Sequence, residues 1–309
     1  MITAQALVKQ YGNKVAVDSI DFTVRPGQVT GFLGPNGAGK STTMRMIVGL
    51  DKPTSGRTEV NGRPYREHRA PLREVGVLLD AKAANGGRSA YKHLLAIAAT
   101  HGIGAARVKE VIGLAGLDSV AGKRVGGFSL GMGQRLGIAT ALLGDPATII
   151  LDEPVNGLDP EGVRWVRTLM RNLAAEGRTV LLSSHLMSEM AQTADRLIVI
   201  GRGRILADDP IADVISGATR SVTRVRTHES ERLMATIAGP GVVVSVLADG
   251  AIEVSGLTAE QVAVAASTAG IVLHEIASMS GSLEEAYIAL TAGEVEYRSS
   301  SAAGTGAHK

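Results

Sequence analysis

The chain has 309 residues, a formal net charge of +2 and no cysteine. The near balance of acidic and basic residues argues against nucleic-acid binding driven by bulk charge, and the lack of cysteine excludes disulfides and thiol chemistry. No apolar run reaches the roughly 20 residues that span a bilayer, and the N-terminus lacks the apolar core of a signal peptide. We therefore expect a cytosolic chain that meets a membrane only through a partner.

The first part of the chain predicts an α/β fold with a mainly parallel sheet. Residues 1–30 alternate apolar and polar positions between turn signals, which is typical of short strands. From Val29 to RLIVI at 196–200, apolar strand-like runs alternate with helix-like runs, the pattern of an α/β layered fold. Residues 84–144 are mostly helical in character, and we interpret them as a helical insertion into the α/β core.

The chain changes character near residue 217. The segments SVTRVRT, VVVSVL, AIEVSG and IVLHEIA are each typical of a short strand. Two helices are predicted to begin with capping boxes, Thr258 with Gln261 and Ser282 with Glu285, in which side chain and backbone satisfy each other's free donors. This part of the sequence therefore predicts a small, separate α+β module.

These changes of pattern predict the organisation of the chain. The first domain is expected over 1–217, with a helical subdomain at 84–144. The accessory α+β module is expected over 218–293. The final residues, 294–309, are small and polar and are predicted to be disordered.

A glycine-rich loop at 34–42, GPNGAGKST, fits the phosphate-binding pattern G-x-x-x-x-G-K-[ST]. Its glycines let consecutive backbone N–H groups turn toward phosphate oxygens, and the N-terminus of the following helix adds positive potential. Lys40 is predicted to bridge the β- and γ-phosphates, and Ser41 to offer its hydroxyl to Mg²⁺. The expected nucleotide-binding residues are Gly34, Pro35, Asn36, Gly37, Ala38, Gly39, Lys40, Ser41 and Thr42.

Two acids, Asp152 and Glu153, end the apolar strand-like segment ATIILDEP at 147–154. Ligands bind beyond the carboxyl ends of the strands in such sheets, which is where both acids fall. Asp152 suits the coordination shell of a magnesium ion. Adjacent residues on a strand point to opposite sides, so Glu153 is predicted to face an attacking water.

Asp159 and His185 are two further candidates that also have ordinary structural explanations. Asp159 precedes Pro160 and is predicted to cap the following helix. His185 ends the predicted buried strand RTVLLSSH (178–185), again at the carboxyl edge of the sheet. Taken alone, a capping or core role would explain this histidine.

In this order, these motifs resemble the ATP-binding subunits of ABC transporters, over about residues 1–217. By this resemblance GPNGAGKST is the Walker A motif, IILDE the Walker B motif and the GLD segment with Asp159 the D-loop. His185 is similar to the switch histidine that senses the γ-phosphate, and Tyr11 to the aromatic residue that stacks on adenine. The resemblance implies a P-loop NTPase fold, with a RecA-like core, an antiparallel β-subdomain and a helical insertion. ATP and Mg²⁺ are the implied cofactors.

The stretch FSLGMGQR at 128–135 occupies the position of the family's signature, usually written LSGGQ. Ser129 and Gly131 match the serine and the second glycine, whereas Leu130 and Met132 depart from the pattern. In the family this loop completes the ATP site of the opposite subunit. The resemblance therefore implies that Ser129, Gly131 and Met132 act in trans, and Ser129 also fits an ordinary helix N-cap.

Asp80 aligns with the family's Q-loop glutamine, which is a second departure from the pattern. An ionised aspartate can only accept hydrogen bonds, and it adds negative charge near a metal. Two alternatives stay open. Asp80 binds Mg²⁺ more directly than a glutamine would, or its loop lies further from the metal.

The resemblance implies an ATPase in which Glu153, His185 and Lys40 are catalytic and two ATP-binding subunits form a homodimer or heterodimer. It would power export of a drug, antibiotic or lipid-like compound through an integral-membrane permease on a separate chain, at the cytoplasmic face of the cell membrane. No nucleic-acid partner is expected. The alternatives are a cytosolic ABC ATPase that acts on ribosomes or nucleic acid, and a nucleotide-binding regulator without turnover.

Overall fold

The structure is a computed structural model that describes residues 1–81, 83–218, 222–279 and 281–291. The predicted disordered tail over 294–309 lies outside these residues. None of the helices in the described segments combines the length and the apolar character that a bilayer span requires.

The chain divides into two compact units, Met1–Asp208 and Asp209–Leu290. The helix Ile211–Ala218 falls in the second unit, although the predicted first domain extends to residue 217. The second compact unit therefore begins a few residues earlier than the change of sequence pattern indicates.

The strands between residues 2 and 210 form two sheets. They are β1 (Ile2–Tyr11), β2 (Lys14–Val24), β3 (Val29–Leu33), β4 (Ser55–Val60), β5 (Val75–Leu78), β6 (Thr148–Leu151), β7 (Thr179–Ser183), β8 (Arg196–Gly201) and β9 (Arg204–Pro210). The smaller sheet is antiparallel, with the order β2-β1-β4. The larger sheet has the order β5-β6-β7-β3-β8-β9, and its neighbours from β5 to β8 run parallel. The predicted parallel sheet is confirmed.

The centre of the larger sheet is buried, because its strands are apolar at nearly every position. All residues of β3, β6 and β7 are buried, which is typical of parallel strands that are covered on both faces. Phe32 of β3 and Ile150 of β6 lie in one core cluster with Leu7 and Ile20 of the antiparallel sheet and with Met44. The two sheets therefore share a hydrophobic core.

Helices connect the parallel strands and fill most of 84–144. In the first unit they are α1 (Lys40–Ile47), α2 (Pro71–Glu74), α3 (Ala90–Thr100), α4 (Ala105–Leu114), α5 (Leu130–Leu142), α6 (Pro160–Ala175) and α7 (Met187–Thr193). The cap of α3 is Ser89, whose hydroxyl accepts a hydrogen bond from the backbone N–H of Lys92 at 3.2 Å. Helices α3, α4 and α5 form the helical insertion that the predicted fold class includes.

The second unit is an antiparallel sheet packed against helices. Its strands are β10 (Val222–Arg226), β11 (Val243–Val246), β12 (Ile252–Ser255) and β13 (Glu275–Met279), and its helices are α8 (Ile211–Ala218), α9 (Ser230–Ile237), α10 (Ala259–Thr268) and α11 (Leu283–Thr291). The strand order is β11-β12-β10-β13. Val225 and Val254 of the sheet share a core cluster with Leu233 of α9 and Val262 of α10. The predicted α+β character is confirmed.

Both predicted capping boxes are present in the second unit. The hydroxyl of Thr258 accepts from the backbone N–H of Gln261, whose side chain accepts from the backbone N–H of Thr258. Ser282 and Glu285 exchange the same two bonds at 3.1 and 3.0 Å. Each box satisfies helix N-terminal donors that would otherwise lack a partner within the helix.

The strand predicted over IVLHEIA (271–277) is wrong in its first half, because β13 begins at Glu275. Ile271 is buried in the core cluster of the second unit as the chain leaves α10. Ile271 is therefore apolar because it packs in the core, although it is not part of a strand. In a short apolar run, periodicity alone does not tell these two cases apart.

Candidate nucleotide-binding site

The phosphate loop lies between the carboxyl end of β3 and the start of α1, at the centre of the parallel sheet. Gly37 and Gly39 have φ values of 82° and 108°, a left-handed region that favours glycine. A Cβ atom at Gly39 would lie 2.6 Å from the carbonyl oxygen of Ala16. The loop can therefore take this shape only with glycine at that position.

Lys40 is folded against the loop that precedes it. Its side chain is 8% exposed, and its Nζ donates to the carbonyl oxygens of Gly34 and Pro35 at 2.6 and 3.2 Å. Burial lowers the pKa of Lys40, and the nearby carboxylates of Glu153 and Asp152 oppose that shift. An entering phosphate would favour the charged ammonium in the same way as these carboxylates.

Asp152 joins the phosphate loop to the neighbouring strand. Its Oδ2 accepts from the hydroxyl of Ser41 at 2.6 Å, and its Oδ1 accepts from the hydroxyl of Ser183. The Ser183 oxygen in turn accepts from the backbone N–H of Glu153 at 3.0 Å. The parallel register of β6 and β7 pairs Leu151 with Leu182, so the residues that follow each of them lie side by side.

Glu153 lies beyond β6, in a left-handed backbone conformation with a φ of 50°. The prediction that strand alternation separates it from Asp152 is therefore wrong in its cause, since β6 ends at Leu151 and the turn sets the direction. Glu153 Oε2 lies 2.7 Å from Nδ1 of His185. The side chain of His185 is 53% exposed, against 23% for Glu153, so the histidine lies on the open side of the carboxylate.

Most of the predicted phosphate-loop residues, together with Asp152 and Glu153, line one cleft of about 320 Å³, and Gly34 and Pro35 are not among its lining residues. A neighbouring cleft of about 300 Å³ shares Ala16 and the residues from Asn36 to Ala38, and it continues to Lys14 and Arg202. The first cleft is lined by Ala16, Asn36, Gly37, Ala38, Gly39, Lys40, Ser41, Thr42, Asp152 and Glu153. The fold thus brings the phosphate loop and the two acids into one cleft, although they lie far apart in the sequence.

Tyr11, at the end of β1, lies outside the residues that line these two clefts. Its hydroxyl donates to Asp51 Oδ2 at 3.0 Å, and the ammonium of Lys9 lies 4.8 Å from the ring centroid. The side chain is 49% exposed. Its role in stacking on adenine stays a prediction.

The signature stretch begins helix α5. The hydroxyl of Ser129 accepts from the backbone N–H of Met132 at 3.2 Å, which confirms Ser129 as an N-cap. A Cβ at Gly131 would lie 2.9 Å from the carbonyl oxygen of Gly157. Glycine therefore allows this stretch to approach the D-loop segment, whose Asp159 caps α6 as predicted, with Oδ1 2.8 Å from the backbone nitrogen of Gly162.

Asp80 lies directly beyond Leu79 at the end of β5 and lines a different cavity, of about 430 Å³, with side chains such as Leu50 and Ile97. It is not among the residues that line the phosphate cleft. Of the two alternatives, this position fits a loop that lies further from the metal, and a metal-binding role for Asp80 stays a prediction.

Three residues at the site were not predicted, and one of them is Ala16, which lines the cleft. Ser183 contacts both Asp152 and Glu153, and Gln134 of α5 donates from Nε2 to the carbonyl oxygen of Glu153 at 2.8 Å. Aligning the ends of TIIL and TVLLS would have found Ser183. No signal in the sequence connects Gln134 with the Glu153 peptide.

Comparison with known families gives matches to both units. A family described as "ABC transporter" matches residues 17–156, and a model for an AAA domain matches 124–191 within the first unit. A family described as a domain of unknown function (DUF8746) matches residues 221–284.

Two named relatives each match more than 200 residues of the chain. The bacitracin transport ATP-binding protein BcrA of Bacillus licheniformis is 42% identical over 213 residues, which are 68% of this chain and 70% of that protein. The lantibiotic transport ATP-binding protein SrtF of Streptococcus pyogenes is 36% identical over 208 residues, which are 67% of this chain and 90% of that protein.

A solved structure described as the ATP binding subunit of an ABC transporter is similar to 69% of this chain and 91% of its own. Its TM-score is 0.64 and its sequence identity 25%. The order of the motifs, the shared cleft and these relatives agree. The chain therefore belongs to the ABC transporter family of ATP-binding proteins and is an ATPase.

Proposed function

We propose that this ATPase powers the export of an antibiotic, drug or lipid-like compound through a permease on a separate chain. The observation that carries the proposal is the 42% identity to a bacitracin transport protein over 213 residues. The similarity to a lantibiotic transport protein supports the same class of cargo.

ATP binding is assigned to the phosphate loop. Backbone N–H groups between Gly34 and Gly39, together with the N-terminus of α1, offer a positive surface to the phosphates. Lys40 adds a full charge beside the two acids. Its present partners are backbone carbonyls, so a phosphate can replace them without leaving a charged acceptor unpaired.

Ser41 and Asp152 fit a magnesium ion. Their side-chain oxygens lie 2.6 Å apart, and a hydroxyl with a carboxylate is a donor set that this hard cation prefers. When bound with the nucleotide, Mg²⁺ supplies charge that offsets the phosphate oxygens.

Hydrolysis is assigned to Glu153, which accepts a proton from the attacking water at its side-chain carboxylate. The Ser183 hydroxyl and the Gln134 amide hold the peptide N–H and carbonyl of Glu153, so the carboxylate projects from a fixed backbone. His185 contacts Oε2 from the open side of the cleft and orients it. Lys40 stabilises charge on the transferred phosphoryl group.

A second copy or a related subunit is proposed to complete each ATP site. Ser129 and Gly131 lie outside the residues that line the cleft around Lys40 of their own chain. Leu130 is 52% exposed beside them. The N-terminus of α5 at this surface carries the positive end of the helix dipole, which suits the phosphates of a partner's nucleotide.

Ser129→Ala should lower ATP hydrolysis by the assembled transporter at least about tenfold, because it removes one donor to the transferring phosphate. The measurement is steady-state phosphate release. The same change removes a helix cap, which costs about 1 kcal/mol. Ser89→Ala is the matched control, since Ser89 caps α3 through the same bond length of 3.2 Å. Equal activity in both variants would contradict a role for Ser129 in trans.

Purification of the tagged chain from detergent-solubilised membranes tests the transport assignment. We expect an integral-membrane protein to accompany it at the cytoplasmic face, with two ATP-binding subunits for each complete transporter. The complex should retain ATPase activity that the Glu153→Gln variant lacks. Recovery only with ribosomes or the nucleoid would instead support the cytosolic alternative and overturn export.

A further inference from the structure

Gln134 is a buried polar residue in the helix that follows the signature stretch. Its side chain is 4% exposed, and its amide Nε2 donates to the carbonyl oxygen of Glu153 at 2.8 Å. Buried polar side chains in folded proteins are nearly always hydrogen-bonded, and this bond satisfies the Gln134 amide. The bond therefore ties α5 to the residue that carries the proposed catalytic carboxylate.

The Glu153 peptide is held from two elements at once. Its φ of 50° is uncommon for a residue with a side chain. The hydroxyl of Ser183, at the end of β7, accepts from its N–H, and Gln134 of α5 donates to its carbonyl. A residue keeps such an unfavourable backbone conformation only when neighbouring contacts hold it in place. These two hydrogen bonds therefore set the direction of the carboxylate.

The same helix begins at Ser129 and also contacts Trp165. Ser129 is the N-cap of α5 and Gln134 lies in its second turn, so a displacement of the helix at Gln134 also moves the signature stretch. The guanidinium of Arg135 lies 4.6 Å from the centroid of the Trp165 ring, and Trp165 Nε1 donates to the carbonyl oxygen of Leu114 at 3.1 Å. Trp165 is the only tryptophan in the sequence, so its emission reports on the position of α5.

We propose that Gln134 is a positioning residue that couples the Glu153 carboxylate of one ATP site to the signature stretch that serves the other. The inference rests on the proposed function, in which Glu153 acts in its own subunit and Ser129 in the partner's site. Nucleotide bound beside Glu153 shifts its peptide, and Gln134 passes that shift to α5. The movement of α5 changes the orientation of the Ser129 hydroxyl and the contact between Arg135 and Trp165.

The test compares Gln134→Met, which keeps the length of the side chain but removes the donor, with the full wild-type chain. We expect turnover to fall at least about tenfold, while the dissociation constant for MgATP, measured by calorimetry, changes by less than about twofold. The change in tryptophan emission on adding MgATP should fall by more than half. Basal emission without nucleotide should match that of the wild type.

The control is Gln192→Met, which makes the same substitution at an exposed glutamine of α7. It should leave turnover and the emission change intact. Gln134→Asn, which keeps the amide on a shorter side chain, serves as a second variant in case Gln134→Met does not fold. Wild-type turnover in the folded Gln134 variants, an undiminished emission change, or no emission change in the wild type would each overturn the coupling.

The proposed function is tested separately, by the turnover of Glu153→Gln. If Glu153→Gln retains full turnover, the assignment of the base is wrong whatever Gln134 does. If Glu153→Gln is inactive and the Gln134 variants behave as the wild type, only the coupling is wrong.

Discussion

Glu153→Gln should lower ATP hydrolysis at least about a hundredfold and leave MgATP binding nearly unchanged. The amide has the shape of the carboxylate but cannot take the proton of the attacking water. The loop, Lys40 and Asp152 keep their contacts in this variant, so affinity is retained. Phosphate release measured together with calorimetry of MgATP binding separates the two effects.

Glu189→Gln is the control for this experiment. Glu189 has nearly the same side-chain exposure, 22% against 23% for Glu153, and it pairs with Arg167 at 2.7 Å rather than facing the phosphate cleft. We expect close to wild-type turnover from it. Full hydrolysis by Glu153→Gln, or an equal loss in both variants, would remove Glu153 from the role of base.

Lys40→Ala should weaken ATP binding at least about a hundredfold, since a charge-assisted contact to phosphate is lost from an enclosed position. Calorimetric titration with MgATP measures the loss. Thermal unfolding of the variant is measured alongside, so that a loss of affinity is told apart from a loss of the fold. Retained affinity, or loss of affinity together with loss of the fold, would contradict this role.

The phosphate loop could be predicted from the sequence because its chemistry is local. Gly37, Gly39, Lys40 and Ser41 lie within a few residues of one another, and the strand and helix on either side fix how they are presented. The spacing alone therefore specifies the geometry. Asp152 could be predicted for a similar reason, because ligands bind beyond the carboxyl ends of the strands in a parallel sheet.

The support for Glu153 could not be predicted, because it depends on packing between distant segments. Its backbone conformation is left-handed although glutamate gives no signal for that region. Ser183 reaches it through the register of β6 and β7, and Gln134 through the position of α5 against the sheet. Neither register nor helix rotation is encoded in a short motif, so both became visible only in the structure.

The polar strand β4 shows the same limit in the fold. Its sequence, SGRTEV, lacks the apolar alternation that marks a half-buried strand, and it lies at the edge of the antiparallel sheet beside β1. Backbone pairing with β1, from Ile2 opposite Val60 to Val8 opposite Ser55, defines this strand. Side-chain patterns carry little information about such an element.

The enclosure of β3 has a consequence for amide hydrogen exchange. This strand leads directly into the phosphate loop, lies between β7 and β8, and is buried at every residue. Its amide protons exchange with solvent only through openings close to global unfolding of the unit. A variant that loses nucleotide affinity while the β3 amides stay protected therefore carries a defect confined to the loop. If protection and affinity fall together, the whole sheet has been destabilised.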